Sequence, residues 1–312
     1  MRMTGRASND ARASAGPKRT TTRWATRARA LRALGVLLLA APVIASIDSI
    51  ASPAGASFVV VPRLVPSGAR RPCPAGMVQI PGGTVDLLAP NLDDPDRPVT
   101  HVSVSAFCID VTEVTQAAYE ACAKGGSCIP AHTSCFDVAD DRDYTDNCPC
   151  NSGVPDRQDH PANCIDVHES EAYCQALGKR LPTEIEWQWA ATSATLHNKY
   201  AWGNDEPVAN SDVADDKLLC WSGSYSRQTT CPVGQYPQGD TPLHLKDMAG
   251  NVYEWTASVG GADFPDCNGK PDCYVYRGGA AFTQSANYLE VTTRTADPGR
   301  SRWSGVGFRC AR

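Results

Sequence analysis

Histidine is sparse in this chain. There are six in 312 residues (His101, His132, His160, His168, His197 and His244), and no two form a His-x-His pair. That scatter offers no local imidazole cluster for a transition metal. No glycine-rich phosphate loop occurs, so nucleotide binding by that route is excluded. No Ser/His/Asp set is visible from spacing, which leaves nucleophilic hydrolysis without support. Cysteine is absent before Cys73 and again between Gly279 and Cys310. Basic residues are scarce after Ser57, 20 against 32 acidic, within a formal net charge of −5 for the whole chain. Such an acidic surface argues against nucleic acid and against anionic membranes as partners.

The basic residues that exist are concentrated at the start. Nine Lys or Arg precede Ala33, and an apolar run follows from Ala33 to Ala45. Ala54-Gly55-Ala56 matches a small-x-small cleavage site. Residues 1–56 therefore read as an export signal with a long basic lead. The alternative is an uncleaved anchor, but the run is short for a membrane span and is interrupted by Pro42, so cleavage is preferred. No cysteine ends it, which argues against a lipid anchor. Residues 57–72 read as a linker and 73–312 as one domain. The expected location is periplasmic, cell-surface or extracellular.

All fourteen cysteines follow this signal. An even count in an exported chain implies oxidation to as many as seven bridges. Three pairs bracket short loops: Cys122 with Cys128, Cys220 with Cys231, and Cys267 with Cys273. Cys148-Pro149-Cys150 has a metal-like or redox-like spacing but no second close Cys or His pair, so disulfides are preferred to zinc. The pairing among Cys73, Cys108, Cys135, Cys148, Cys150 and Cys164 stays open.

Local patterns mark short elements. Met77–Ile80 reads as a strand entering the turn Pro81-Gly82-Gly83. His101–Phe107 alternates like a half-buried strand. Thr115 can cap a short helix carrying Ala118, Tyr119 and Cys122. Residues 124–160 are polar and Cys-rich with little periodicity, and read as a stapled insertion. Asp166-x-x-Glu169 and Thr183-x-x-Glu186 are capping boxes, each opening a helix. The first of these helices is expected to carry Ala172, Tyr173 and Leu177 on one face before stopping at Gly178. Glu184 and Glu186 are read as capping acids and not as catalysts.

The most informative stretch is Asp247-Met248-Ala249-Gly250-Asn251-Val252-Tyr253-Glu254-Trp255. It opens with turn chemistry and closes with strand formers. Asp247 and Glu254 are hard oxygen donors, and a chain folded back at Gly250 can add carbonyls, which suits Ca2+. The alternative is a solvated acidic turn before a strand.

Taken together, Met77–Gly83, Phe107–Thr115, His160–Ala191, Tyr200–Asn204, Leu245–Trp255, Arg277–Gly279 and Gly305–Cys310 resemble the formylglycine-generating enzyme family, the sulfatase-modifying factors. The resemblance implies a compact, loop-rich α+β fold related to C-type lectins, low in regular secondary structure and here disulfide-rich. It implies a structural calcium site using the side chains of Asp247 and Glu254 and the carbonyls of Gly250 and Val252. A second calcium site would involve Asn210 and Ser211. It implies a bridge joining Cys174 to Cys310, whereas the family's other common bridge meets Ala191. The family enzyme oxidises a sulfatase cysteine with copper held by two cysteines, which in this chain fall near Thr283 and Tyr288. Ala280 and Gly305 replace a further serine and asparagine, and Arg294 is left as a polar cleft candidate. Related enzymes use iron held by clustered histidines, which this chain lacks. No catalytic residue is assigned and no copper is expected, because soft thiolates are needed to hold Cu(I). The expectation is an exported, calcium-stabilised module that binds a protein, peptide or glycan or serves a structural role. The alternative is an oxidoreductase acting on a protein cysteine or small thiol.

Overall fold

The computed structural model describes residues 72–88, 99–138, 141–195, 198–207, 218–221, 229–261, 264, 267 and 272–312. The chain divides into two units, Met1–Val65 and Pro66–Arg312, and every described residue belongs to the second. The expected export signal over 1–56 and nearly all of the linker over 57–72 lie outside the described residues. So do Asn210 and Ser211.

Strands β1 (Met77–Ile80), β2 (Gly83–Leu88), β3 (Val99–Val104) and β4 (Phe107–Asp110) come first. β1 pairs antiparallel with β4, and β2 with β3. The alternation read over His101–Phe107 therefore spans two strands, and the chain changes partner at Ser105-Ala106. Helix α1 (Gln116–Lys124) follows, with the Thr115 side chain accepting from the Ala118 amide. Strands β5 (Cys135–Asp137) and β6 (Arg142–Tyr144) form a small hairpin inside the stretch expected to be irregular.

Helices α2 (Val167–Ala176) and α3 (Glu184–Ala191) each begin with a complete capping box, at Asp166/Glu169 and Thr183/Glu186. The buried positions of α2 are Val167, Ser170, Tyr173 and Cys174. This corrects the expected face. Ala172 is exposed, and Leu177 is 51% exposed as the residue ending the helix. The helical period runs through Val167, Ser170 and Tyr173–Cys174, which turns Ala172 and Leu177 outward.

The C-terminal part supplies a four-stranded sheet in the order β10-β7-β8-β9, from β7 (Tyr253–Val259), β8 (Cys273–Arg277), β9 (Thr295–Pro298) and β10 (Val306–Gly307). β10 lies parallel to β7, and the other neighbours are antiparallel. Trp187 on α3 and Trp255 on β7 are fully buried. Trp255 donates its indole N–H to the Ile165 carbonyl (3.0 Å) and Trp189 donates to that of Pro81 (2.7 Å). Buried tryptophans keep such partners because an unsatisfied donor costs about 1–3 kcal/mol.

All fourteen cysteines are paired: 73–108, 122–128, 135–148, 150–164, 174–310, 220–231 and 267–273. Cys174–Cys310 joins α2 to the last residues of the chain across 136 positions. Seven bridges and no free cysteine point to maturation outside the reducing cytosol. Ala191, which faces no cysteine, is fully buried in the core with Trp187, Trp189 and Met248.

Candidate functional site

The loop between Leu245 and β7 is bent by three successive left-handed positions, Asp247 (φ 54°), Gly250 (φ 81°) and Asn251 (φ 57°). A side chain at Gly250 would also meet the Cys220 carbonyl at 2.7 Å, so the turn and the close approach both require glycine. Asn251 then locks the loop to three neighbours. Its amide donates to the Cys220 carbonyl (2.9 Å), its side-chain oxygen accepts from the Cys231 amide (2.9 Å), and its carbonyl accepts from the Ala281 amide (2.9 Å).

This bend gathers Glu113, Asp247 and Glu254 beside one guanidinium, Arg309. Glu254 is 1% exposed and accepts from Arg309 through both oxygens (2.7 Å each) and from the Trp187 indole (2.8 Å). Arg309 spends its other N–H groups on the carbonyls of Asp110, Val111 and Lys246. Asp247 accepts from the Gly234 amide (2.5 Å). Glu113 is 1% exposed, and its Oε1 has no hydrogen-bond partner. Burial pushes the Glu113 carboxyl well above its ordinary range, and the charges of Asp247 and Glu254 add to the shift. Burial also raises Asp247.

Three carboxylates against one guanidinium leave a formal excess of two negative charges in a buried space. Buried charge of that kind is neutralised by protonation or by a cation. The donors are all hard oxygens, which suit Ca2+ and not a soft metal. Asp247 and Glu113, with the Gly250 and Val252 carbonyls, could hold such an ion. Glu254 already has both oxygens engaged by Arg309 and Trp187.

The opposite side of β7 faces a cavity of about 550 Å³. Tyr253, Tyr276, Phe282, Tyr288 and Trp303 supply its aromatic walls, with Ala280, Thr283, Gln284, Asp297, Gly305 and Val306 between them. Tyr253 and Tyr276 meet edge to face with centroids 5.1 Å apart. Trp303 donates to Asp297 at 2.6 Å, and Ser301 donates to the same carboxylate at 3.1 Å. Thr283 accepts from the Ala280 amide through its hydroxyl (2.8 Å). Burial raises the Tyr253 phenol to about 12, so it stays protonated at neutral pH. The cavity can stack rings and offer hydroxyls and one carboxylate. Its lining contains no thiol, so the donor set does not fit Cu(I).

Positions read separately along the sequence meet here: Ala280, Thr283, Tyr288 and Gly305 all line this one cavity. Arg294 does not, which corrects its placement as a cleft residue. It makes a two-armed ion pair with Glu184 (2.7 and 2.9 Å) and lies over the Phe264 ring. A planar guanidinium matches a carboxylate in this fork geometry, so Arg294 is turned toward α3. The neighbouring Arg277 is fully buried. It donates to the carbonyls of Thr292 (3.1 Å) and Thr293 (2.7 Å) and to the Gln188 side chain, and burial lowers it to about 10.

A family profile described as "Sulfatase-modifying factor enzyme 1-like domain" matches residues 62–312. The chain belongs to this family. Within the sulfatase-modifying factor family, it is 28% identical over 277 residues to a protein of Bos taurus named inactive C-alpha-formylglycine-generating enzyme 2, covering 75% of this chain and 87% of the relative. It is 27% identical over 306 residues to the formylglycine-generating enzyme of Streptomyces coelicolor, covering 79% and 94%. Among solved structures, PvdO from Pseudomonas aeruginosa matches with a TM-score of 0.55 and 23% identity, covering 76% of this chain and 93% of PvdO. That last likeness concerns the fold. Relatives of this family thus include proteins named as enzymes and proteins named as inactive.

Sequence reasoning missed Glu113 and Arg309 as members of the charged cluster. Both carry a weak signal, a single charge among apolar neighbours: Val111 and Val114 around Glu113, and Phe308 and Cys310 around Arg309. The aromatic wall was invisible because its rings come from β7, β8 and the segments around 282–288 and 303.

Proposed function

We propose that this chain is an exported binding module of the sulfatase-modifying factor family, stabilised by calcium and without copper-dependent cysteine oxidation. The observation that carries this reading is the cavity lining. At the places where the family's oxidase needs soft sulfur, Thr283 and Tyr288 present hydroxyls, among aromatic walls, next to Ala280 and Gly305. Hydroxyls bind Cu(I) poorly, whereas aromatic faces with a few polar groups suit ligand recognition. The relative named as inactive supports the same direction. The basic lead, apolar run and small-residue cleavage site, together with the disulfides, support export. Calcium is the ion that the carboxylate excess beside Arg309, with the carbonyls of Gly250 and Val252, would take.

The ligand is a protein, peptide or glycan segment that enters the cavity. Glycan and peptide arrays probed with the purified domain test this, alongside an Ala280→Trp variant that fills the cavity. Binding by the parent chain, lost in the filled variant while the melting temperature holds, is the expected result. Array signals equal for both proteins would overturn the assignment to this cavity. Oxidation of a thiol peptide by the parent chain would instead favour an oxidoreductase acting on a protein cysteine or small thiol.

A further inference from the structure

We propose that Cys135, Cys148, Cys150 and Cys164 form a latent tetrathiolate site for one zinc-like ion, closed by two disulfides and opened by reduction. The four Sγ atoms lie within 4.8 Å of one another, and all four residues are buried. The telling distances run across the bridges, not along them. Cys148 Sγ is 3.4 Å from Cys150 Sγ and 3.7 Å from Cys164 Sγ, although its own partner is Cys135. A tetrahedral zinc site with Zn–S of about 2.3 Å separates its sulfurs by about 3.8 Å. The Cys-x-Cys at 148–150 lacks a second pair in the sequence. The fold supplies one from β5 and from the segment ahead of α2.

The geometry does not depend on the bridges alone. β5 is held by reciprocal backbone bonds between Phe136 and Arg302 (2.9 and 3.1 Å). The Cys164 amide donates to the Trp303 carbonyl (3.2 Å). The Asn151 amide, next to Cys150, donates to the Asn163 side chain (2.7 Å), which in turn donates to Ser304 (2.7 Å). Reduced thiols would therefore remain near one point. A zinc tetrathiolate carries a charge of about −2. Arg300 and Arg302 lie over the ring of Phe136, the residue after Cys135, at 5.3 and 4.9 Å. Arg302 Nε is buried with no hydrogen-bond partner, while the other end of its guanidinium pairs with Asp143.

The chemistry balances with a dithiol reductant. Two dithiol molecules are oxidised to two disulfides, and each protein bridge accepts two electrons and two protons. One Zn2+ then displaces the four thiol protons, which leave to solvent. The site borders the aromatic cavity: the Cys164 amide bonds the carbonyl of Trp303, which lines that cavity, and Tyr144, packed on the four cysteines, meets the Trp303 ring.

The test uses the full chain reduced by a phosphine under native conditions, with and without one equivalent of Zn2+, then alkylated and mapped by mass spectrometry. Zinc should slow alkylation of these four cysteines at least tenfold and leave the other ten unchanged. Co2+ in place of Zn2+ should give thiolate-to-metal charge transfer and tetrahedral d–d bands at one ion per chain. If reduction loosens the fold, zinc must restore protection of these four together with the near-UV circular dichroism. Equal alkylation with and without zinc, or protection spread over other cysteines, would overturn the proposal.

Discussion

Strand β7 separates two unlike surroundings at adjacent residues. Glu254 points into a buried cluster where nearly every polar atom has a partner within the chain, including the whole guanidinium of Arg309. Tyr253, one residue earlier, lines a cavity whose rings and hydroxyls face open space. Alternation along a strand makes this split unavoidable, since successive side chains leave opposite faces. The charged face reads as the part that holds the loop, and the cavity face as the part that meets a ligand. Stability and binding should therefore respond to different residues of the same strand.

The largest effect should come from the frame beneath both faces. The Cys174–Cys310 bridge closes the longest loop of the seven, and in the chain-entropy model such a loop contributes about 4–5 kcal/mol. The double variant Cys174→Ser/Cys310→Ser should lose about that much in denaturant unfolding, lowering both faces together. A loss confined to ligand binding, with unfolding unchanged, would break the comparison.

Next in size is the split within β7. Glu254→Gln leaves Arg309 buried beside a neutral group, which should cost about 3–5 kcal/mol. Tyr253→Phe removes one hydroxyl and should cost about 1 kcal/mol. Chemical denaturation of the two variants side by side checks the ratio. Similar losses would mean that the faces are not separable.

Calcium sharpens the charged face. Binding to the native state alone stabilises by about 2.7 kcal/mol at a hundredfold excess over Kd, so chelator should lower the melting temperature. Glu113→Gln should reverse sign with conditions. In chelator it removes a carboxyl whose ionisation burial opposes and raises the melting temperature, and in calcium it removes a ligand and lowers it. The folded-state pKa of Glu113 is raised, so the chelated protein should lose stability as pH rises above the unfolded value of about 4.3. Calcium should flatten that loss. Melting curves at several pH values, with and without chelator, decide it, and identical curves would remove calcium from the account.

The smallest stability effect belongs to the cavity. Tyr288 is 48% exposed, so Tyr288→Ala should shift stability by no more than about 0.5 kcal/mol while weakening ligand capture. A destabilised variant with unchanged binding would contradict its role as a wall.

Much of the frame was readable in the sequence because its signals are local. Both capping boxes, the Thr115 cap and the glycine turn at Gly250 are fixed by residues within a few positions of one another. The rest was not local. Arg309 reaches Glu254 across 55 positions, and Glu113 reaches Asn251 across 138. Arg294 looked like a cleft residue because an arginine's direction is set by its partner, and Glu184 stands 110 positions away. The outward turn of Leu177 was misread from its side chain, since a helix end is set by capping geometry as much as by hydropathy.

The most direct test of the central claim is chemical. The purified domain is loaded with Cu(I) under oxygen and given a peptide carrying the Cys-x-Pro-x-Arg sulfatase motif, and the peptide is read by mass spectrometry. Because Thr283 and Tyr288 offer only hydroxyls, the account predicts that the cysteine stays unchanged, with no aldehyde above the enzyme-free control. Copper-dependent conversion of that cysteine to formylglycine would contradict it.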